Sequence, residues 1–303
     1  MSRARRVKRT LAVLATLVVA GAALFLLLTR ARPRALELPP HTPDLARGET
    51  LFHVGGCLGC HAPAKGAGDP ALPSGGAPFE TPFGTFYPQN LTPDADTGLG
   101  HWSDADFVHA MREGISPGGL HYFPAFPYTS YARMPVEDLL DLRGYLASLT
   151  AVRSPSRPAD VPLVWLARRS VGLWKRRGLD DRLFAADPTR SEQWNRGAYL
   201  VNGPGHCGEC HTPRDVFMVL DERRSLAGGK HPRGEDEDVP SLRDLVGREH
   251  YTDAADLVLA LQYGETYGYE HLSSGGMAII QQNLALLPEA ELQAIAEYLV
   301  SLR

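Results

Sequence analysis

A mainly α protein of two tandem domains behind an N-terminal apolar helix is what this 303-residue sequence predicts. Three observations carry the prediction. Leu11 to Leu28 runs without a charge, Cys-x-x-Cys-His occurs twice, and the blocks flanking the first copy recur in order around the second.

The N-terminal segment comes first. Eighteen uncharged residues rich in Leu, Val and Ala make about 27 Å of helix, close to the roughly 30 Å hydrocarbon core of a bilayer. Five basic residues precede it (Arg3, Arg5, Arg6, Lys8, Arg9) and three follow it (Arg30, Arg32, Arg34). That bias predicts a cytoplasmic N-terminus and an exported body. A cleaved signal peptide is the alternative. The length of the apolar run, and the lack of a small-x-small cleavage site after Leu28, favour a retained anchor. Residues 1–34 are therefore read as basic flank and anchor (or signal).

The remainder is acidic. The net charge of −4 includes eight basic residues and no acid in the first 34 positions, so the body carries a clear negative excess. Nothing there would neutralise phosphates, which excludes nucleic acid as a partner. An acidic body suits steering toward basic patches on redox partners.

The motifs are Cys57-Leu58-Gly59-Cys60-His61 and Cys207-Gly208-Glu209-Cys210-His211, and they use every cysteine in the chain. This spacing lets two thiols add to the vinyl groups of one haem while the adjacent His ligates its iron. A four-cysteine zinc site would need the pairs roughly 15–20 residues apart, and about 150 separate them. A disulfide framework belongs to short secreted chains. A thioredoxin-like pair needs a strand before it, and no β-branched run precedes either motif. Two covalently attached haems c are expected, held by Cys57, Cys60, His61 and by Cys207, Cys210, His211.

The repeat sets the rest. Arg47-Gly48 precedes the first motif as Arg196-Gly197 precedes the second. Ala105 to Met111, ending at Gly114, lines up with Ala255 to Leu261, ending at Gly264. Leu139, Leu142, Tyr145, Leu146 and Leu149 match Leu292, Ile295, Tyr298, Leu299 and Leu302, in the i, i+3, i+4 pattern of an amphipathic helix. Pro288 suits the first turn of the second of these helices. Each unit reads as helix, motif, long Gly/Pro-rich loop, short helix, loop and closing helix, with little strand signal. A bound haem would keep a loop as long as 62–100 ordered. The boundaries are placed at 40–150 and 191–303. Residues 151–190 match nothing in the repeat, and their Trp165, Trp174 and basic residues suit either a helix packed across both domains or a basic surface on the membrane or a partner.

Thr81-Pro82-Phe83-Gly84-Thr85-Phe86-Tyr87, Asn90-Leu91-Thr92-Pro93-Asp94 and Gly98-Leu99-Gly100-His101-Trp102-Ser103 resemble the cytochrome c subunits of bacterial membrane-bound alcohol and aldehyde dehydrogenases. So do Trp194 to Leu200, Gly205-His206-Cys207 and Gly276-Met277-Ala278, and the likeness covers roughly residues 45–303. It implies two tandem class I cytochrome c-like domains that accept electrons from a periplasmic dehydrogenase. The family often carries three haem domains; two are found here. The resemblance also implies that the carbonyls of Pro63 and Pro213, two residues past each His, accept the proximal ring N–H.

A second axial ligand closes an electron-transfer iron. Met1 is outside the fold, Met111 belongs to a helix stripe, and Met218 lies in an apolar run that suits packing. Met277, in a Gly-rich loop where the family places its thioether, is assigned to the second haem. For the first, the family's Pro-Ala-Met-Pro is Pro124-Ala125-Phe126-Pro127 here, and Phe cannot ligate iron. Met134 is the first choice, with packing at the helix entry as its other reading; His121 is the competitor. His109, which faces Leu259 in the repeat, is no ligand.

The expected function is a membrane-anchored dihaem carrier, without catalysis of its own, that passes electrons from a periplasmic dehydrogenase toward the respiratory chain. A quinone pool, a soluble cytochrome or a terminal oxidase would accept them. The rival is a dihaem peroxidase-like oxidoreductase with an open first haem; an assembly subunit with structural haems is a third reading.

Overall fold

The computed structural model describes residues 3–232, 238–247, 251–264 and 275–303, with the side chains of 275 and 276 excepted. Helix α1 (Arg3–Leu28) buries none of its side chains and is long and apolar enough to cross a membrane. Helix α2 (Leu45–Val54) starts at Asp44, whose carboxylate accepts the Arg47 N–H. It leads into α3 (Cys57–His61), and a hairpin of β1 (Phe79–Thr81) and β2 (Gly84–Phe86) follows within the long loop. Helix α4 (Asp104–Glu113) opens on a reciprocal Ser103–Asp106 capping box and ends at Gly114, left-handed at φ 58°. Then come α5 (Tyr128–Tyr131), α6 (Val136–Ser148) and the intervening α7 (Val164–Gly178).

The second half repeats the order. Helix α8 (Glu192–Asn202), capped by Ser191, leads into α9 (Gly208–His211). A two-residue hairpin follows, β3 (Gly229–Lys230) with β4 (Asp238–Val239). Helix α10 (Ala254–Tyr263) ends at left-handed Gly264, and α11 (Gly275–Leu284) and α12 (Glu289–Val300) close the chain. The protein is mainly helical, as expected. The two hairpins are strands that the sequence pattern did not show.

Close helix crossings explain the repeated Arg-Gly. Helix α2 packs on α6, and α8 on α12. A Cβ on Gly48 would lie 2.2 Å from the Asp141 carbonyl oxygen, and one on Gly197 1.9 Å from that of Ala294. Only glycine permits these approaches. The closing helices deliver the predicted stripe: Leu139, Leu142 and Leu146 are buried, as are Leu292, Ile295 and Leu299. Met111 and Leu261 are buried at equivalent places on α4 and α10. One hydrophobic cluster runs through both halves, and the Tyr199 hydroxyl of α8 donates to Asp138 of α6 at 2.5 Å.

The loop over 62–100 has polar support of its own. Buried Asn90 donates from Nδ2 to the Val152 carbonyl (2.7 Å) and accepts the Thr92 N–H (2.9 Å). Helix α7 touches both halves: the Lys175 ammonium donates to the Glu113 and Gly114 carbonyls, and the Trp174 indole to the Phe217 carbonyl. The apolar run at 216–220 packs only in part. Val216 and Phe217 are exposed, and Met218 is half-buried in a turn with φ 61°.

Candidate haem attachment sites

Each motif is a short helix, which places its two cysteines one turn apart with the His directly after. Gly56, left-handed at φ 56°, turns the chain from α2 into α3. No disulfide joins any of the four cysteines. Burial pushes those of Cys57 and Cys207 up to about 12, and the neighbouring thiol of each pair adds to it. A redox disulfide needs the opposite, a depressed thiol.

The histidines are held identically. The Nδ1–H of His61 donates to the Gln89 carbonyl at 2.6 Å, and that of His211 to the Pro240 carbonyl at 2.8 Å. Burial lowers both ring pKa values, so each imidazole is neutral at pH 7. With the proton held on Nδ1 by the carbonyl that accepts it, Nε2 carries the lone pair that an iron needs. Two thiols and one oriented imidazole per site fit a covalently bound haem c. The expected acceptors, Pro63 and Pro213, are corrected: the carbonyl comes from 28 and 29 residues downstream, and Pro213 instead accepts the Asp221 N–H. A backbone acceptor has no side-chain signature, so only superposing the two halves of the sequence could have found it.

The backbone around each site is duplicated too. The His61 carbonyl accepts the Gly75 N–H and that of His211 the Gly228 N–H, both glycines having positive φ. Further along, the Leu91 N–H donates to Pro73 and the Leu242 N–H to Leu226.

The two motifs adjoin. The Nε2–H of His206, next to Cys207, donates to the Gly55 carbonyl at 3.0 Å, and the Tyr131 ring meets the His206 imidazole edge-on at 5.7 Å. Buried Glu209, in the middle of the second motif, accepts the Thr129 and Ser130 hydroxyls and pairs with Arg214 at 2.6 Å. Helix α11 lies on the first motif: a Cβ on Gly59 would sit 2.9 Å from Ile279, and one on Gly56 3.0 Å from Ile280.

Met134 is fully buried in the turn between α5 and α6, its N–H on the Tyr131 carbonyl. Phe126 belongs to an aromatic group with Tyr122, Tyr128 and Tyr131, at ring separations of 5.6 to 6.1 Å. His121 is committed elsewhere: Nε2 faces the Thr29 carbonyl at 3.2 Å and Nδ1 the Lys175 ammonium at 3.1 Å. Burial and that ammonium lower its pKa to about 4. His109 pairs with Glu113 at 2.8 Å. Met277 is half-buried in the first turn of α11 rather than in a loop; most of the Gly-rich segment before it is outside the described residues. Met218 lines an open cavity of about 530 Å³ together with Arg214, Arg224 and Lys230. Among the described residues, no three His, Cys, Asp or Glu side chains gather as a metal-ion site.

Residues 45–150 match the family described as Cytochrome c. The chain is 39% identical over 295 residues to a diheme cytochrome c-type protein of Cereibacter sphaeroides, covering 94% of this chain and 95% of that one. With the fructose dehydrogenase cytochrome subunit of Gluconobacter japonicus it shares 32% identity over 90% of this chain and 56% of the relative. It is 35% identical to the gluconate 2-dehydrogenase cytochrome c subunit of Pantoea cypripedii, covering 84% of this chain and 59% of the relative. The chain thus spans nearly all of the first relative and somewhat over half of the other two.

Proposed function

The chain belongs to the family of dihaem c-type cytochromes, and on that premise we propose a membrane-anchored carrier that moves electrons from a periplasmic dehydrogenase toward the respiratory chain. The observation that carries the reading is the duplication of one attachment frame, His61 on Gln89 and His211 on Pro240, in adjoining motifs. Two haems c would be held by Cys57, Cys60 and His61 and by Cys207, Cys210 and His211, one each in domains at 40–150 and 191–303. Haem, when bound, supplies one-electron redox chemistry. The chain would attach it through the paired cysteines and fix each proximal imidazole in its Nδ1–H tautomer. Met134 and Met277 are proposed as the second axial ligands; complete burial of the first, and the engagement of both His121 nitrogens, support Met134 over His121.

A dehydrogenase donor is supported by the relatives, two of which are cytochrome subunits of dehydrogenases. A quinone pool, a soluble cytochrome or a terminal oxidase would be the acceptor. The anchor would be α1, with residues 1–34 retained and residues 151–190 joining the domains.

Carbon monoxide separates carrier from peroxidase. Reduced wild-type protein should bind none and turn over no peroxide, because both irons are closed. Met134→Ala and Met277→Ala should each open one haem, giving high-spin ferric character and one carbon monoxide per chain, whereas His121→Ala should change neither spin state. A wild-type protein that binds carbon monoxide at one haem and turns over peroxide would replace the carrier by the enzyme. A Met134→Ala protein that stays low-spin until His121 is also removed would transfer the ligand to His121.

A further inference from the structure

The sequence leaves α7 with two readings, and the structure brings it to the end of α1. The last carbonyls of a helix have no partner within it. Here Arg169 supplies them, donating from Nη2 to Leu26 at 2.5 Å and from Nε to the Thr29 hydroxyl at 3.1 Å, while Arg176 reaches the Leu28 carbonyl. Gly172 sits against Thr29, where a Cβ would come 3.1 Å from its backbone. Leu26 to Thr29 end the apolar segment, so α7 is fixed where that segment leaves the hydrocarbon.

Much of what α7 and its N-cap Leu163 show to solvent is apolar, with Ser170, Arg176 and Arg177 exposed beside it. Leu163, Trp165, Leu166 and Leu173 are exposed, Leu163 to 77%. Next to its C-terminal end, Phe217 is 60% exposed beneath the Arg177 guanidinium, 5.0 Å from the ring. The ends of this surface are basic: Arg30 and Arg32 follow α1, and Arg176 and Arg177 end α7, Arg177 sharing its guanidinium with Asp215 at 2.6 Å, on a body whose overall excess is acidic. A helix with an apolar side bearing Trp, basic residues beside it, and a bilayer anchor at its flank has the composition of an interfacial helix.

We infer that α7 and the Phe217 turn lie on the membrane surface, with Leu163, Trp165, Leu166, Leu173 and Phe217 among the acyl chains and the arginines on anionic phospholipid headgroups. The inference rests on α1 being a retained anchor. Basic residues near an anionic surface are drawn to it within a Debye length, which offsets repulsion of the acidic body. A redox partner docking on the same face is the competing occupant. The choice of lipid follows from continuity with α1 and from the inversion of charge relative to the body.

The test uses the full-length haem-loaded chain in phosphatidylcholine vesicles containing phosphatidylglycerol. Nitroxides are placed through Leu166→Cys and Leu173→Cys, with exposed Ala290→Cys on α12 as reference. Oxygen, which partitions into lipid, should collide with the labels at 166 and 173 severalfold more than a water-soluble nickel chelate does, and the ratio should reverse at 290. Arg176→Gln with Arg177→Gln should shrink that ratio in these vesicles and leave it unchanged in pure phosphatidylcholine. If the chain floats with the vesicles but 166 and 173 are as open to nickel as 290, or become protected only when a dehydrogenase is added, the inference is wrong and the anchor reading survives. A chain that does not float defeats the anchor reading, and this inference with it.

Discussion

The two halves share the frame around the Cys-x-x-Cys-His motif and differ in what packs against it. Both cross their outer helices at a glycine, both end the short helix at a left-handed glycine, and both tie the proximal imidazole to a carbonyl from the far end of the loop. The support beneath differs. In the first half the fully buried Asp141 receives His41 at 2.6 Å and the Asp44 N–H at 2.7 Å, with Arg47 at 3.5 Å. In the second, the equivalent crossing is braced by a partly exposed bidentate pair, Arg196 with Glu291, at 2.8 Å. The far side differs more. Met134 sits in a tight buried turn, whereas Met277 opens a separate helix that leans on the other half's motif. On the proposed function, attachment geometry would be set by thioether and imidazole chemistry and so be duplicated, whereas sealing would only have to exclude water, which more than one packing can do.

The largest effect that could break this comparison is at the shared crossings. Gly197→Ala and Gly48→Ala should each cost about 3 kcal/mol, the upper end of ordinary overpacking, because the new methyl meets backbone that cannot yield. Thermal unfolding of the holoprotein would read it. A loss under about 0.5 kcal/mol at either glycine would mean that the helices are not in the contact described.

A smaller effect sharpens the difference. Asp141→Asn should cost about 1.5–3 kcal/mol, since the hydrogen bonds that His41 and the Asp44 N–H make to a buried carboxylate lose its charge, while Glu291→Gln should cost under about 1 kcal/mol at a partly solvated pair. Urea unfolding of the two variants measures the gap. Equal losses would show that both braces are equivalent despite their different burial.

Much of the fold and of both sites is legible in the residues themselves. Cysteine spacing announces the attachment sites, and the leucine stripes mark the closing helices because burial there follows the helical period. Arg-Gly marks the crossings without explaining them; the reason is a carbonyl about a hundred residues away in each half. The hairpins are two and three residues long, too short for an alternation to register. Gln89 and Pro240 act through backbone oxygens, which side-chain patterns do not encode. Helix α11 begins at two glycines, which intrinsic preference reads as loop. Val216 to Leu220 looks like core by composition, but Val216 and Phe217 are exposed and only 218–220 are half-buried, which depends on tertiary packing. What engages the His121 ring lies 92 and 54 residues distant, beyond any local pattern.

The most direct measurement is the number of covalent haems per chain, by pyridine haemochrome assay and intact mass of the denatured protein. The account predicts two in the wild type and one in the Cys57→Ser, Cys60→Ser variant, with the second haem retaining its low-spin spectrum because its attachment frame is separate. One haem or none in the wild type, or loss of both from the variant, would contradict it.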